Sequence, residues 1–307
     1  MSSGMDRLHA AAVGFRQAVA EQHLGLEGLH ISLNGRGELT HRWVADDRRD
    51  VFSVSKTFTS IAVGIAQAEG RLHLDDPVLN HLPQFLTDAA DGVEAMTIRH
   101  LLSMTAGNGY RWLDPDADHP DDPARDFLAT PLIAKPGTTY HYRGANSYML
   151  GRIIHACSGL DLRDYLMPRL FEPLAIHNPQ WHRCPLGYPL GAIGLFLRTQ
   201  EIAWVGETLL NNGSFHGREL IPTDFVAAMT EHPIDTGREQ PDNQRYGLHA
   251  WLCSRDDAWR MDGIYGQFSI MFPHHDACIT VTAHYEGPTT DILDAIWSEL
   301  VPHLGSG

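Results

Sequence analysis

Val51-Phe-Ser-Val-Ser-Lys-Thr-Phe-Thr-Ser60 sets a serine and a lysine three residues apart at the start of an apolar repeat. Phe58, Ile61, Ala62, Ile65 and Ala66 recur at helical spacing and Gly70 offers a stop, which predicts a helix of about four turns opened by Ser53. Ser53 and Lys56 then share one face. A serine in a first turn is surrounded by unpaired backbone N–H groups and the positive end of the helix dipole, both favourable to negative charge developing beside it. Lysine is also scarce, since of the 23 lysines and arginines only Lys56 and Lys135 are lysine. An ammonium, unlike a guanidinium, sheds its proton when desolvated, so Lys56 is a candidate base for Ser53. The S-x-x-K pair alone fits equally a helix-start serine beside a solvated lysine.

Composition narrows the field. A chain of 307 residues, 43% hydrophobic, can bury a full core as one large domain or two intimate lobes. Its formal charge is −15 and no basic cluster exceeds Arg48-Arg49, which argues against nucleic acid and anionic membrane surfaces as partners. The segment from Met5 to Ala20 reads as an amphipathic helix interrupted by Asp6, Arg7 and Arg16, without a signal-type apolar region, and no run approaches the ~18 apolar residues of a membrane span. A cytoplasmic location is expected. Cys157, Cys184, Cys253 and Cys278 form no C-x-x-C pair and are expected to be reduced and mostly buried.

Strand-like runs at Gly28–Leu33 and Glu38–Val44, joined by the turn Asn34-Gly-Arg-Gly37, predict a β-hairpin leading into the Ser53 helix. From Leu72 to about Met229 the pattern is mainly helical, with proline-rich loops at Asp114–Pro123 and Cys184–Pro189. Past Pro241, short strands are expected at Tyr246–Cys253, Ala258–Met261, Gln267–Phe272 and Cys278–His284, followed by a helix over Thr290–Leu300. The expected organisation is α+β: residues 1–70 and 231–307 build an antiparallel β-sheet flanked by helices, and residues 71–230 a mainly helical lobe.

Two further segments complete a pattern with Ser53-Val-Ser-Lys56. They are Lys135-Pro-Gly-Thr-Thr-Tyr-His-Tyr-Arg-Gly-Ala-Asn-Ser-Tyr-Met-Leu-Gly-Arg152 and Arg260-Met-Asp-Gly-Ile-Tyr-Gly-Gln-Phe-Ser269. Together the three resemble the serine β-lactamase and penicillin-binding-protein superfamily, in particular its class C and esterase-like branch. Leu72-His-Leu-Asp-Asp-Pro77, Met96–Gly107 and Leu209-Leu-Asn-Asn-Gly213 look like connecting phrases of that family in the same order, so the resemblance covers roughly residues 30–290.

The resemblance implies a two-lobed serine hydrolase with its site between the lobes. Ser53 would be the nucleophile, Lys56 and Tyr142 would draw its proton, and the backbone N–H groups of Ser53 and Ile264 would form the oxyanion hole. Tyr142 is the tyrosine of the family's Tyr-x-Asn motif, and a phenol works as a base near neutral pH only beside cations such as Lys56 or Arg143. Two departures bear on substrate. The motif reads Tyr142-Arg143-Gly144, so the asparagine that contacts substrate amides in relatives is a glycine, with Asn146 two residues on. Where lactamases carry Lys-Thr-Gly, this chain has Met261-Asp262-Gly263, and an aspartate facing the site would repel penicillins. Tyr110 and Trp112 fall where relatives line the acyl pocket, and Arg143, Asn146, Asp262 and Gly263 complete the expected substrate contacts.

Rival sites are weak. No G-x-S-x-G, G-x-x-x-x-G-K-[ST] or H-E-x-x-H occurs. Asp114, Asp116 and Asp118 imitate a calcium loop, but His119 and Arg125 stand where glycine and glutamate are needed. The 19 histidines show no ligand spacing on one helix. The expected activity is therefore cofactor-free cleavage of a small cytoplasmic ester or amide through an acyl-Ser53, with weak or no β-lactamase activity. The alternatives are an acyltransferase, in which an amine or alcohol outcompetes water, and a pseudoenzyme that keeps the pocket to bind a ligand.

Overall fold

The computed structural model describes residues 4–33, 37–110, 112 and 122–305. The hairpin turn at 34–36 and the imitation calcium loop at 114–121 lie outside the described residues.

Eight strands form one antiparallel sheet: β1 (Leu26–Leu33), β2 (Gly37–Arg42), β3 (Ile234–Asp235), β4 (Arg245–Tyr246), β5 (Trp251–Leu252), β6 (Trp259–Gly263), β7 (Gln267–Phe272) and β8 (Ala277–Ala283). Their order is β2-β1-β8-β7-β6-β5-β4-β3, so the N-terminal hairpin joins the edge of the C-terminal strands through the β1–β8 pair. Register makes one apolar face: Leu29 pairs with Val281 and Ile31 with Ile279, and these side chains join Phe268, Ile270 and Phe272 in a core. Helices α1 (Gly4–Glu21) and α5 (Thr290–Glu299) cover it with Phe15, Ile292, Ile296 and Trp297. Alternation sends the intervening residues to the other face, where Ser269, Cys278, Thr280 and Thr282 make a buried layer rich in hydroxyls.

Helix α4 (Thr199–Leu210) packs on that second face. It falls inside the middle segment expected to be a separate helical lobe. Thr199 Oγ1 meets Thr282 Oγ1 at 2.8 Å, and a Cβ on Gly206 would lie 2.3 Å from Ser269 Oγ, so the helix approaches the sheet too closely for a side chain there. Around α2 (Ser55–Ala68) the rest of the middle segment builds the larger core, including α3 (Gly144–Ser158) and a stack of Phe58 on Phe171 at 5.9 Å. Every residue of α2 from Ser55 to Ala66 is buried. The helix ends as expected, with Gly70 at φ 69° and the Arg71 N–H bonded to the Ala66 carbonyl at 2.9 Å.

Several expectations need correction. The α-helix starts at Ser55, and Ser53 lies in the 3₁₀ turn Phe52–Val54 just before it. The single strand expected over Tyr246–Cys253 folds back on itself as β4 and β5, because His249 takes φ 57° and its N–H turns to the Leu102 and Gly247 carbonyls. Short strands also occur inside the supposedly helical segment: Gln180–Trp181 and Leu195–Leu197 pair with each other, and Arg49–Asp50 joins them, while Ser214–Phe215 pairs with Arg218–Glu219. Pairs of two or three residues carry too little periodicity to be read from sequence.

Crowding at α2 is testable at Gly64, where an added Cβ would sit 2.3 Å from the Phe225 ring. Helix propensity alone favours alanine by about 1 kcal/mol. Overpacking costs about 1–3 kcal/mol. Gly64→Ala should therefore lower the urea midpoint of unfolding, and a rise in that midpoint would show that the ring moves aside freely.

Candidate active site

The turn that carries Ser53 is held from below by Asp50, whose Oδ1 accepts from the Phe52 N–H at 2.7 Å and the Gly194 N–H at 3.0 Å. Phe52 itself has φ 48°, an unfavourable backbone for a bulky residue, and its ring packs against Tyr265 at 5.1 Å. The strained residue thus lies immediately before the serine. Gly263, at the end of β6, lies against this turn so closely that a Cβ would be 2.6 Å from the Val51 carbonyl. That contact packs the end of β6 against the Ser53 turn, one residue before Ile264, whose side chain is exposed.

Lys56 is 3% exposed, and its Nζ donates to Ser53 Oγ at 2.8 Å and to the Ala192 carbonyl at 2.9 Å. Burial pushes its pKa down to about 7, with the Asp262 carboxylate pulling the other way. The amine is therefore divided between neutral and charged forms near neutral pH. Hydroxyls on α2 fix the loop that supplies the second acceptor: Thr59 Oγ1 donates to the Gly191 carbonyl at 2.7 Å, and Ser55 Oγ accepts from the Leu195 N–H at 3.4 Å.

Tyr142 stands over this pair, with Lys56 Nζ 4.9 Å from its ring centroid. Burial drives the pKa of its phenol well above the usual value, with the Ser53 hydroxyl and the Arg238 and Arg260 guanidinium groups opposing. The phenol stays protonated at neutral pH. Tyr142 belongs to an aromatic wall with Tyr246 at 5.9 Å and Trp251 at 5.8 Å, on which the Arg238 guanidinium rests, 5.0 Å from the Trp251 ring.

Asp262 is not a bare charge in the cleft. The buried Arg260 grips it through Nε at 2.9 Å and Nη2 at 2.8 Å, and also donates to the Asp242 carbonyl at 2.7 Å and Asn243 Oδ1 at 2.6 Å. Asn146 is buried, with its amide on the Met104 sulfur at 3.4 Å. Arg143 occupies the N-cap position of α3 without a side-chain capping hydrogen bond. Tyr110 is edge-on to Phe127 at 6.2 Å, and Trp112 lies against Tyr148 at 5.4 Å.

Sequence reading missed His249, Arg238, Trp251 and the Ala192 carbonyl. His249 is buried, accepts Thr57 Oγ1 on its carbonyl at 2.9 Å, and sets its Nε2 2.9 Å from Ser147 Oγ. Burial, and then Lys56, push its pKa down to about 3, so the ring stays neutral. The aromatic density of Tyr246-Gly-Leu-His-Ala-Trp251 was the available signal, but only the fold-back between β4 and β5 aims it at Lys56.

The family model described as Beta-lactamase matches residues 15–300, and the chain belongs to that family. Among curated proteins, Protein flp of Staphylococcus aureus strain MW2 is 28% identical over 154 residues, which are 48% of this chain and 31% of flp. The chain thus spans about a third of the length of that relative. A D-stereospecific amidohydrolase from Streptomyces sp. superposes with a TM-score of 0.74 at 21% identity, over 96% of this chain and 99% of the other. EstCE1, a hydrolase with promiscuous acyltransferase activity, superposes with a TM-score of 0.78 at 19% identity, over 97% and 100%. At these identities the likeness is one of fold. Among the described residues no helix is long and apolar enough to cross a membrane.

The Lys56 equilibrium sets a pH dependence. The neutral amine is the form able to take a proton, so labelling of Ser53 by a fluorophosphonate should fall as pH drops through about 7. Asp262 favours the ammonium, so Asp262→Asn should move this limb to lower pH. A limb displaced to higher pH in that variant would contradict the assignment.

Proposed function

We propose that this chain is a serine hydrolase that forms an acyl-enzyme on Ser53 from a small ester or amide. The observation that carries the reading is the buried Lys56 amine, 2.8 Å from Ser53 Oγ and with a pKa near 7. In the proposed cycle the neutral amine takes the Ser53 proton as Oγ bonds to the substrate carbonyl carbon, and the carbonyl electron pair moves onto oxygen beside the N–H groups of Ser53 and Ile264. When the intermediate collapses, the bond to the leaving alcohol or amine breaks. That group takes the proton held by Lys56, passed through the Tyr142 hydroxyl.

Tyr142 acts here as a neutral donor and acceptor, because burial holds its proton and the nearby Asp262 adds to that effect. Lys56, neutral again, then draws a proton from water along the same path. Water bonds to the acyl carbon, and Ser53 regains its hydrogen as the acid leaves. The short contact between Lys56 and Ser53 favours this reading over an inert binding pocket. Acyl transfer would differ only in the acceptor, and the acyltransferase activity in the description of EstCE1 supports keeping it as a second reading.

Mass spectrometry after fluorophosphonate treatment should place the label on Ser53, and a failure to label it would sink the proposal. Lys56→Arg keeps the charge but cannot supply a neutral amine. It should lower kcat/KM for an aryl ester by about 100- to 10,000-fold, the range for loss of a general base. Near-normal turnover in that variant would remove Lys56 from the role. With Met261 in place of the carboxylate-binding lysine and the acidic Asp262 beside it, hydrolysis of a chromogenic cephalosporin should be far slower than that of the ester. Comparable rates for the two would count against this assignment of position 262.

A further inference from the structure

Lys56 Nζ is held between two acceptors from different parts of the fold, Ser53 Oγ one turn away and the Ala192 carbonyl on a loop 136 residues further along the chain. One buried residue with no part in the proposed cycle is bonded to the supports of both. His249 is 2% exposed and forms the corner between β4 and β5 at φ 57°. Its carbonyl accepts from Thr57 Oγ1 at 2.9 Å, and the Leu248 carbonyl accepts from Ser60 Oγ at 2.8 Å. The corner is thereby tied to α2 at two points one turn apart, the first of them next to Lys56. On the other side, the imidazole Nε2 lies 2.9 Å from Ser147 Oγ in α3. The Ser147 carbonyl abuts Gly191, where an added Cβ would come within 2.7 Å of it, and Gly191 immediately precedes Ala192.

A neutral imidazole has one N–H and one lone pair to place. Burial keeps the Tyr246 phenol protonated, and its hydroxyl faces Nδ1 at 3.5 Å, which assigns the ring hydrogen to Nε2 and makes Ser147 Oγ its acceptor. The ring is near enough to Lys56 for the ammonium to oppose a second proton on it. Beside the amine there is therefore a bulky, uncharged group with both nitrogens occupied, in place of solvent that would favour the ammonium.

We infer that His249 is a positioning residue for the Ser53 chemistry: through Thr57 on one side and Ser147 on the other it fixes Lys56 Nζ between Ser53 Oγ and the Ala192 carbonyl, and its ring keeps water from the amine. That role rests on the reading of Lys56 as the base of Ser53, whereas the state of the amine can be read without any substrate.

Because Lys56 and Lys135 are the only lysines, protein labelled with carbon-13 at lysine Cε gives two lysine signals in NMR, and Lys135→Arg assigns them. In the intact protein the Lys56 signal should titrate near pH 7. Asparagine tolerates a positive φ but is too short to reach Ser147. His249→Asn should therefore raise the titration midpoint by about one pH unit as water enters. The smaller neutral fraction should slow fluorophosphonate labelling of Ser53 at pH 7 by about fivefold. His249→Gln returns an N–H to Ser147 Oγ and should leave the midpoint within about 0.3 pH units of the intact protein. Ser147→Ala should shift the midpoint in the same direction as His249→Asn, and it carries the comparison should that variant fail to fold. Asp262, Tyr142 and Tyr246, the other groups that face the amine and the ring, are the same in every variant. A shift as large in His249→Gln as in His249→Asn would mean that the ring acts through a positive charge, which overturns the inference. So does a Lys56 midpoint that stays in place in His249→Asn and Ser147→Ala while their urea midpoints fall, the mark of a purely structural role. If the Lys56 signal shifts as expected but fluorophosphonate leaves Ser53 unlabelled even in the intact protein, the placement of the amine stands and the reading of the nucleophile falls.

Discussion

A lysine side chain withdrawn from water and set against a serine hydroxyl is the constraint around which this molecule is arranged. Burial moves the Lys56 pKa from 10.5 to about 7, a preference for the neutral amine that corresponds to several kcal/mol. Between those two values the unfolded chain holds a proton that the folded chain lacks, so the contribution of this lysine to stability rises with pH across that window. Below about pH 7 the folded protein must keep an ammonium in a site with one carbonyl and one hydroxyl for company. The stretch of α2 buried from Ser55 to Ala66, the hydroxyls that tie it to the loops at 191–195 and 248–249, and the strained Phe52 are the structure that tolerates this arrangement.

Charge in the surrounding cleft is paired so that only a small bias reaches the amine. Arg260 is buried beneath the aromatic wall and neutralises Asp262, yet the carboxylate still opposes the effect of burial on Lys56. The same carboxylate and the same burial keep Tyr142 a phenol. Proton affinity is thereby divided between two neighbours: the amine changes state near neutral pH and the hydroxyl does not. His249, neutral and hydrogen-bonded to Ser147, adds bulk near the amine without adding charge.

The helical and sheet components were legible to the extent that their patterns are long. The α2 repeat, the strands at Gln267–Phe272 and Ala277–Ala283, and the terminal helices each show several periods of burial, and their positions follow from sequence to within a few residues. The β4–β5 fold-back did not, because a histidine at φ 57° breaks a run that otherwise reads as one strand. Ser53, Lys56 and Tyr142, grouped by motif spacing in the sequence, do meet in the structure, with Lys56 Nζ 2.8 Å from Ser53 Oγ and 4.9 Å from the Tyr142 ring centroid. Arg238 and Trp251 were not grouped with them in this way, since their approach to Tyr142 depends on how short strands at the sheet edge turn.

By itself the sequence determined the family pattern, the face shared by Ser53 and Lys56, and the absence of a lysine and an asparagine at two expected positions. Spacing over three residues is local, so those facts need no knowledge of distant contacts. Only the tertiary structure decided the protonation of Tyr142, the pairing of Asp262 with Arg260, and the close packing of Trp112 on Gly144. Each of these depends on desolvation or on contact between residues far apart in the chain, and neither quantity exists until the sheet and the helices have closed around the site.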